Sequence, residues 1–276
     1  MVKIFLLLFL TFTLSFSQDN DKIVLDKIQT LISNKAFVQN KAYIKIIFAD
    51  SLSYFINNEI DSVKLIEKLK EHGLINLFFK TPRELVLNFE TNGEPLFFVK
   101  IMGDTLRNIA YYRYVTQESN LQNKIFKWTI SLNSEYATDP IILQKELLKS
   151  GCRITDVKRN SATDWTYIID MRNAYINTQK LQSKVEVKLK RSLYAYWLNV
   201  ESIKQLTIES SYKNNWYPYI AFYDKSLKLL KVIKRDRKSR KINLKITKDT
   251  KYLKISDVYT LKNIKDSLIL QPNGKK

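Results

Sequence analysis

Two stretches decide the fold: Asp61-Ser-Val-Lys-Leu65-Ile-Glu-Lys-Leu69-Lys-Glu-His-Gly73 and Asp139-Pro-Ile-Ile-Leu143-Gln-Lys-Glu-Leu147-Leu-Lys-Ser-Gly151. Each runs twelve positions from Asp to Gly. An Asp ahead of an apolar-periodic run is a fitting N-cap, because its carboxylate accepts from free amides of the first turn. Pro140 suits the first helical position, and each Gly can supply the left-handed residue that ends a helix. Leu65 with Leu69, and Leu143 with Leu147, fall one turn apart on the side to be buried. The offset of 78 also superposes Ile47-Phe48 on Ile125-Phe126, Lys80 on Lys158 and Phe89 on Tyr167. Around the second helix, residues 126–134 alternate as a strand. Strands are expected at 153–158 and 165–171, with a polar turn at Asn160–Asp164, which gives β-α-β-β. The first copy reads the same way, with a strand at 84–90, the turn Asn92-Gly93, a strand at 96–101 and a short helix at 104–112 capped by Asp104. Duplication of a small α/β module explains the match; the alternative is chance similarity between two common helix hairpins.

Outward from the repeat, residues 20–34 carry Ile23, Leu25, Ile28, Leu31 and Ile32 at helical spacing. Residues 36–48 fit either a second helix or a strand. From about residue 181 the pattern changes to short alternating runs every 8–12 residues with polar turns, which argues a β-sandwich or jelly roll. The expected class is α+β and multi-domain: a helical N-terminal segment, two related β-α-β-β modules and a C-terminal antiparallel β-sandwich. The boundaries read as 1–17 signal peptide, 18–42 helical segment, 43–118 first module, 119–180 second module and 181–276 sandwich.

The chain starts Met1-Val2-Lys3, continues with an apolar run from Ile4 to Phe16, and places Ser15 and Ser17 ahead of Gln18. That is the pattern of a secretory signal peptide cleaved before Gln18, so a periplasmic or secreted location is expected. No later segment reaches the roughly 18 apolar residues of a membrane helix. With 45% apolar and 12% aromatic residues the chain belongs among folded proteins. Its single cysteine, Cys152, forms no internal disulfide, so packing alone must hold the fold.

Chemistry that needs special residues has little to work with. His72 is the only histidine and fits a helix-end role. No Gly-x-Ser-x-Gly elbow and no Gly-rich phosphate loop occurs among five glycines. Glu135, Asp139, Asp164 and Asp170 could serve a glycosidase, but Asp139 already caps a helix and Asp164 sits in a turn. No enzyme activity, cofactor or metal is therefore expected.

Charge is the strongest surface signal. Formal net charge is +19, and removing residues 1–17 takes away one Lys, leaving +18. Lys225 to Lys254 hold 13 Lys or Arg against Asp236 and Asp249. In a sandwich this stretch is expected to form a hairpin projecting Lys234, Arg235, Arg237, Lys238, Arg240 and Lys241 as an anion-binding edge, with Arg favoured for bidentate pairing. The alternative is a solvated face that blocks edge-to-edge aggregation. Trp216, Tyr217 and Tyr219, near a turn, are candidates for stacking on sugar rings. The expected role is a non-enzymatic interaction or scaffold protein of the cell envelope. It would bind a protein partner or an anionic polymer or lipid (lipopolysaccharide, phospholipid, peptidoglycan) through the basic sandwich. A glycan- or lipopolysaccharide-binding protein is the alternative, and a peptidoglycan-active enzyme the third reading. Nucleic acid is not an expected partner in that compartment.

Residues 74–87, 95–107 and 134–154, including Glu135-Tyr-Ala-Thr-Asp-Pro140, look like segments of uncharacterised periplasmic or secreted proteins of epsilon-proteobacteria. The resemblance implies small α/β modules joined to a β domain and an envelope location, and it transfers no active site. Residues 203–210 together with 216–230 resemble the central hairpin of carbohydrate-binding-like jelly rolls and bacterial pre-peptidase C-terminal domains.

Overall fold

The computed structural model describes residues 19–275, so the expected signal peptide at 1–17 lies outside the described residues. The architecture is α+β. The chain divides into two compact units, Met1–Ile176 and Asn177–Lys276.

The first unit begins with α1 (19–31) and α2 (Asn34–Ile47), whose N-cap Ser33 accepts from the amide of Ala36. The stretch 36–48 is thus helical. A short 3-10 turn and the two-residue strands β1 (Phe55–Ile56) and β2 (Glu59–Ile60) lead into α3 (Ser62–Glu71). Then follow β3 (Phe78–Thr91), α4 (Pro95–Asn108), β4 (Val115–Gln122), β5 (Ile125–Tyr136), α5 (Pro140–Leu148), β6 (Arg153–Arg159) and β7 (Asp164–Asp170). The capping logic of the repeat is visible atom by atom. Asp61 Oδ1 accepts from Val63 and Lys64, and Asp139 Oδ1 accepts from Ile141. Gly73 and Gly151 both sit in left-handed backbone, at φ +67° and +68°. Leu65, Leu69, Leu143 and Leu147 are fully buried, each contributing roughly 1.5–3 kcal/mol.

β3 to β7 form one sheet in the order β4-β5-β3-β7-β6. The two expected modules are therefore not separable: strand β3, from the first, is flanked by β5 and β7 from the second. The physical reason is that β3 has two apolar neighbours to satisfy. Its register partners in the parallel β7, Val86 with Asp164 and Phe89 with Tyr167, are the very pairs that the offset of 78 superposes. The copies lie side by side, but they differ. In the second, the polar run Asn160–Asp164 folds the chain back, with Ser161 Oγ accepting from the amides of Thr163 and Asp164. In the first, the equivalent segment holds Pro82-Arg83-Glu84 and continues as one long strand.

A second difference concerns residues 96–101, expected as a strand after an Asn92-Gly93 hairpin turn. They are helical. Pro95 occupies the start of α4, and Phe97, Phe98, Ile101, Met102, Thr105 and Leu106 are its buried positions, a period near 3.6 rather than 2.

One sheet face is apolar: Leu85, Leu87 and Phe89 lie level with Leu132, Ile130 and Trp128, and Leu87 and Phe89 also with Trp165 and Tyr167. Phe98 of α4 meets Phe126 of β5 edge-on at 6.0 Å, which places the helix on this face. The other face carries a polar network, in which Thr129 Oγ1 donates to Asn88 Oδ1 (2.9 Å) and Asn88 Nδ2 to Asp164 Oδ1 (2.8 Å).

The second unit is all strand apart from one short 3-10 turn: β8 (Gln179–Lys180), β9 (Val187–Leu189), β10 (Tyr196–Asn199), β11 (Ile203–Ser210), β12 (Pro218–Tyr223), β13 (Leu229–Lys234), β14 (Lys241–Lys245), β15 (Tyr252–Asp257) and β16 (Leu268–Lys275). They form a five-stranded sheet, β13-β12-β15-β10-β8, and a four-stranded one, β14-β11-β16-β9. Pairing is antiparallel except between β8 and β10. Ile220, Phe222, Leu253 and Ile255 from the first sheet share one buried cluster with Leu206, Ile208, Ile242, Leu244 and Leu270 from the second. Among the described residues, no helix is long and apolar enough to cross a membrane.

Candidate functional site

The second unit holds 24 Lys and Arg against eight Asp and Glu, a net of +16, which leaves 22 against 19 for the rest of the chain. Nearly all of the excess charge thus belongs to one unit of 100 residues. Within it, the basic stretch does not form the expected hairpin. β13 pairs with β12 at one edge of the five-stranded sheet, while β14 pairs with β11 at an edge of the four-stranded sheet. Residues 235–240 arch between the two. Apolar alternation drives this, because Ile233 and Ile242 must reach the same buried cluster from different sheets. The arch is fastened by its backbone: the amide of Arg235 donates to Pro218 O (3.0 Å), that of Ser239 to Trp216 O (3.0 Å), and Arg240 O accepts from Ser210 (2.8 Å).

Of the six expected anion-binding side chains, Arg235, Arg237, Lys238 and Arg240 lie on this connection, while Lys234 ends β13 and Lys241 begins β14; their freedom is unequal. Arg240 is engaged internally; its guanidinium donates to the carbonyls of Ser211 (2.5 Å) and Asn214 (3.4 Å). Lys241 pairs with Glu209 at 2.7 Å and Lys234 with Asp236 at 3.6 Å, both exposed pairs of small energetic weight. Arg237 and Lys238 are exposed, and Arg235 is half-buried. None of these three has a side-chain acceptor among the described residues.

The aromatic candidates separate. Trp216 is 1% exposed and its Nε1 donates to Ser256 O at 2.8 Å, so it has no face for a sugar; the alternation that buries Ile220 and Phe222 continues through it into the core. Tyr217 is half-buried, edge-on against Tyr259 at 5.0 Å. Its amide donates to Asp257 Oδ2 (2.8 Å), and Asp257 Oδ1 gathers the amides of Tyr259 and Thr260 and the Asn263 side chain. Tyr219 lies on the opposite side of β12 from the core, as does Tyr223, whose ring sits 5.1 Å from that of Trp197. Lys254 Nζ lies 5.9 Å from the Trp197 ring. Burial, followed by the neighbouring Tyr219, pushes the Tyr223 phenol up. The odd-numbered alternation Tyr219, Ala221, Tyr223 was the sequence signal for this outer row.

The four carboxylates weighed for glycosidase work are held by separate partners. Asp139 caps α5 and pairs with Lys70. Asp164 accepts from Asn88 and Asn160. Asp170 pairs with Arg172 at 2.8 Å, and that contact holds its carboxyl below the usual range. Glu135 is exposed on β5. His72 is the C-cap of α3 and its Nδ1 lies 2.6 Å from the Tyr43 hydroxyl, tying α3 to α2. Cys152 is fully buried, and burial pushes its thiol up to about 12. Among the described residues, no three His, Cys, Asp or Glu side chains converge as a metal site needs.

No family model matches the chain, and no curated protein matches its sequence.

Proposed function

We propose that this is an exported, non-enzymatic interaction protein whose second unit, a β-sandwich of jelly-roll pattern, attaches it to an anionic surface of the cell envelope. The observation that carries this reading is the placement of +16 of the +19 net charge in one 100-residue unit. A basic surface near anionic lipid gains about 1 kcal/mol per Lys or Arg within a Debye length, about 10 Å at 0.1 M salt. Arg235, Arg237 and Lys238 on the arch supply short-range contacts after that attraction has oriented the molecule; guanidinium pairs with phosphate bidentately.

Sedimentation with vesicles tests this. The chain without residues 1–17 is mixed with phosphatidylcholine vesicles with and without phosphatidylglycerol, and separately with purified phosphate-bearing cell-wall polymer. Binding to the anionic vesicles at low salt, lost by ~1 M salt, is expected, and replacing Arg235, Arg237 and Lys238 by Glu should weaken it at least tenfold. Binding to the polymer but not the vesicles identifies the glycan phosphate as the anion. Equal binding to neutral vesicles, or no binding to either anion at low salt, refutes the reading.

A further inference from the structure

The first unit contains a cleft that the charge argument leaves untouched. We propose that it binds a neutral sugar ring. Phe78 and Tyr136 are register partners at the ends of β3 and β5, on the face that the helices cover elsewhere. Their rings are 5.1 Å apart and tilted by 51°. They remain 46% and 57% exposed, whereas Phe89, Phe126, Trp128 and Tyr167 on the same face are at most 4% exposed. The sheet outruns its helices here and leaves an aromatic floor. Above it lies an open cleft of about 570 Å³, inside the roughly 300–1,000 Å³ of small-ligand sites.

The walls supply hydrogen-bonding groups around that floor. Tyr111, Ser134 and Asn76 all line the cleft. Asn76 spends its carbonyl oxygen on the amide of Phe78 (2.8 Å), which leaves its amide hydrogens directed to solvent or ligand. The Tyr111 hydroxyl accepts from Thr138 Oγ1 (3.1 Å) and is also within hydrogen-bonding reach of the Ser134 side chain, so the two hydroxyls form one polar patch on the wall. Ser134 Oγ accepts from the amide of Tyr136 (3.0 Å). The cleft's one acid and one base, Asp139 and Lys70, pair with each other at the rim. They cancel, so nothing in the cleft selects a charged ligand.

These features narrow the occupant. A wholly apolar group would strip water from the Asn76 amide hydrogens, at about 1–3 kcal/mol for a group left unsatisfied, and would leave the Tyr111 and Ser134 hydroxyls with only their protein partners. An ion would find a neutral rim. A pyranose offers an apolar C–H face to the rings and hydroxyls to the wall. Four consecutive residues, Tyr136 to Asp139, line the cleft alongside these groups.

The test uses the chain without residues 1–17 and three tetrasaccharides, of β-1,4-linked N-acetylglucosamine, β-1,4-linked glucose and α-1,4-linked glucose, in titration calorimetry and amide NMR. At least one is expected to bind with a Kd on the order of 0.1–1 mM, to shift amides at 76–78 and 134–136, and to bind equally well at low and high salt. That salt-independence separates this site from the basic unit, whose own test can fail while this one succeeds. Tyr136→Ala and Phe78→Ala should each lower affinity about tenfold, and Asn76→Ala several-fold, with melting curves confirming folded variants. Three results overturn the proposal: no shifts from any of the sugars at ~10 mM, unchanged affinity in folded Tyr136→Ala and Phe78→Ala, or a cleft that takes a hydrophobic dye and none of the sugars.

Discussion

Gly73 and Gly151 occupy matching places in the repeat and have almost the same backbone, φ +67° and +68°, yet alanine should affect them very differently. A Cβ at Gly73 meets nothing within 4 Å. Gly73→Ala then carries only the left-handed penalty, about 1–2 kcal/mol, part of which is offset by the reduced freedom of the unfolded chain, roughly 0.4–1 kcal/mol. A net cost of about 1 kcal/mol lowers the melting point of a unit this size by roughly 2–4 °C. A Cβ at Gly151 falls 2.2 Å from the carbonyl oxygen of Asn173. That carbonyl cannot swing aside, because the following strap is fastened by the amide of Tyr175 on Ser150 O at 3.0 Å. Displacing it adds an overpacking cost of about 1–3 kcal/mol, so Gly151→Ala should lose roughly 2–4 kcal/mol in all. Asparagine separates the two causes, since it tolerates left-handed backbone: Gly73→Asn should be close to neutral and Gly151→Asn as damaging as Gly151→Ala. Scanning calorimetry of the intact chain reads this in the transition of the first unit. Equal shifts for the two alanine variants would refute the account of how the copies diverge at this point.

In the second unit, Trp216→Ala should cost about 3–5 kcal/mol and Trp216→Phe less, the latter losing chiefly the bond to Ser256 O; both are read by chemical denaturation and neither by a change in glycan binding. Cys152 should resist thiol reagents at neutral pH until the unit unfolds. Because its thiol is raised to about 12 in the folded chain, the folded state holds more protons than the unfolded one above the ordinary thiol range. Its contribution to stability is therefore intact below pH ~9 and falls as pH rises from there toward 12. A Cys152→Ala variant with the same alkaline slope would contradict this. Asp156 Oδ1 receives Lys27 Nζ (2.5 Å), Ser62 Oγ (2.6 Å) and the amide of Val157 (2.8 Å). Asp156→Asn should accordingly cost about 1–2 kcal/mol and raise amide exchange in residues 19–31, whereas unaltered exchange there would mean that the apolar contacts of Val24 and Ile28 suffice.

What the sequence made legible is local and what it hid is pairing. The caps at Asp61 and Asp139 and the glycine ends at Gly73 and Gly151 depend on contacts within a few residues, so residue type and spacing reveal them. The fate of 96–101 was misread because Asn92-Gly93 is a strong hairpin signal and Leu96–Ile101 is apolar enough for either element; the deciding residue was Pro95, which starts a helix and cannot give its nitrogen to a ladder. That β3 serves as central strand to both copies depends on which strand edges find each other at long range, and no composition signal records that. The basic segment behaved likewise. Its charge was legible and its arch was not, since Ile233 and Ile242 look alike whether they return to one sheet or cross to another. Tyr136 gave no sequence signal of exposure, because alternation with Phe126, Trp128 and Ile130 marks it as facing the apolar side and cannot tell where the helices stop; Phe78 is out of phase with Leu85, Leu87 and Phe89, and only the register shift between Phe78 and Arg83 sets it level with Tyr136.

Solubility alone would also favour a positive surface, and edge strands in particular gain from lysine. β13, with Leu229, Leu230 and Val232 exposed, a register shift at Phe222/Tyr223 and lysines at 231 and 234, fits that account. The arch at 235–240 does not, because it belongs to no sheet edge. The unit has 20 lysines and four arginines, and three of the four arginines fall within those six residues. A chain that uses lysine wherever it needs charge has here used arginine, the side chain with a fixed planar fork. Arg240 shows one reason, since its fork holds two carbonyls together at the foot of the arch. Arg235 and Arg237 have no such internal task among the described residues, and their replacement by Glu in the vesicle and polymer assays tests whether an acceptor outside the chain takes their forks.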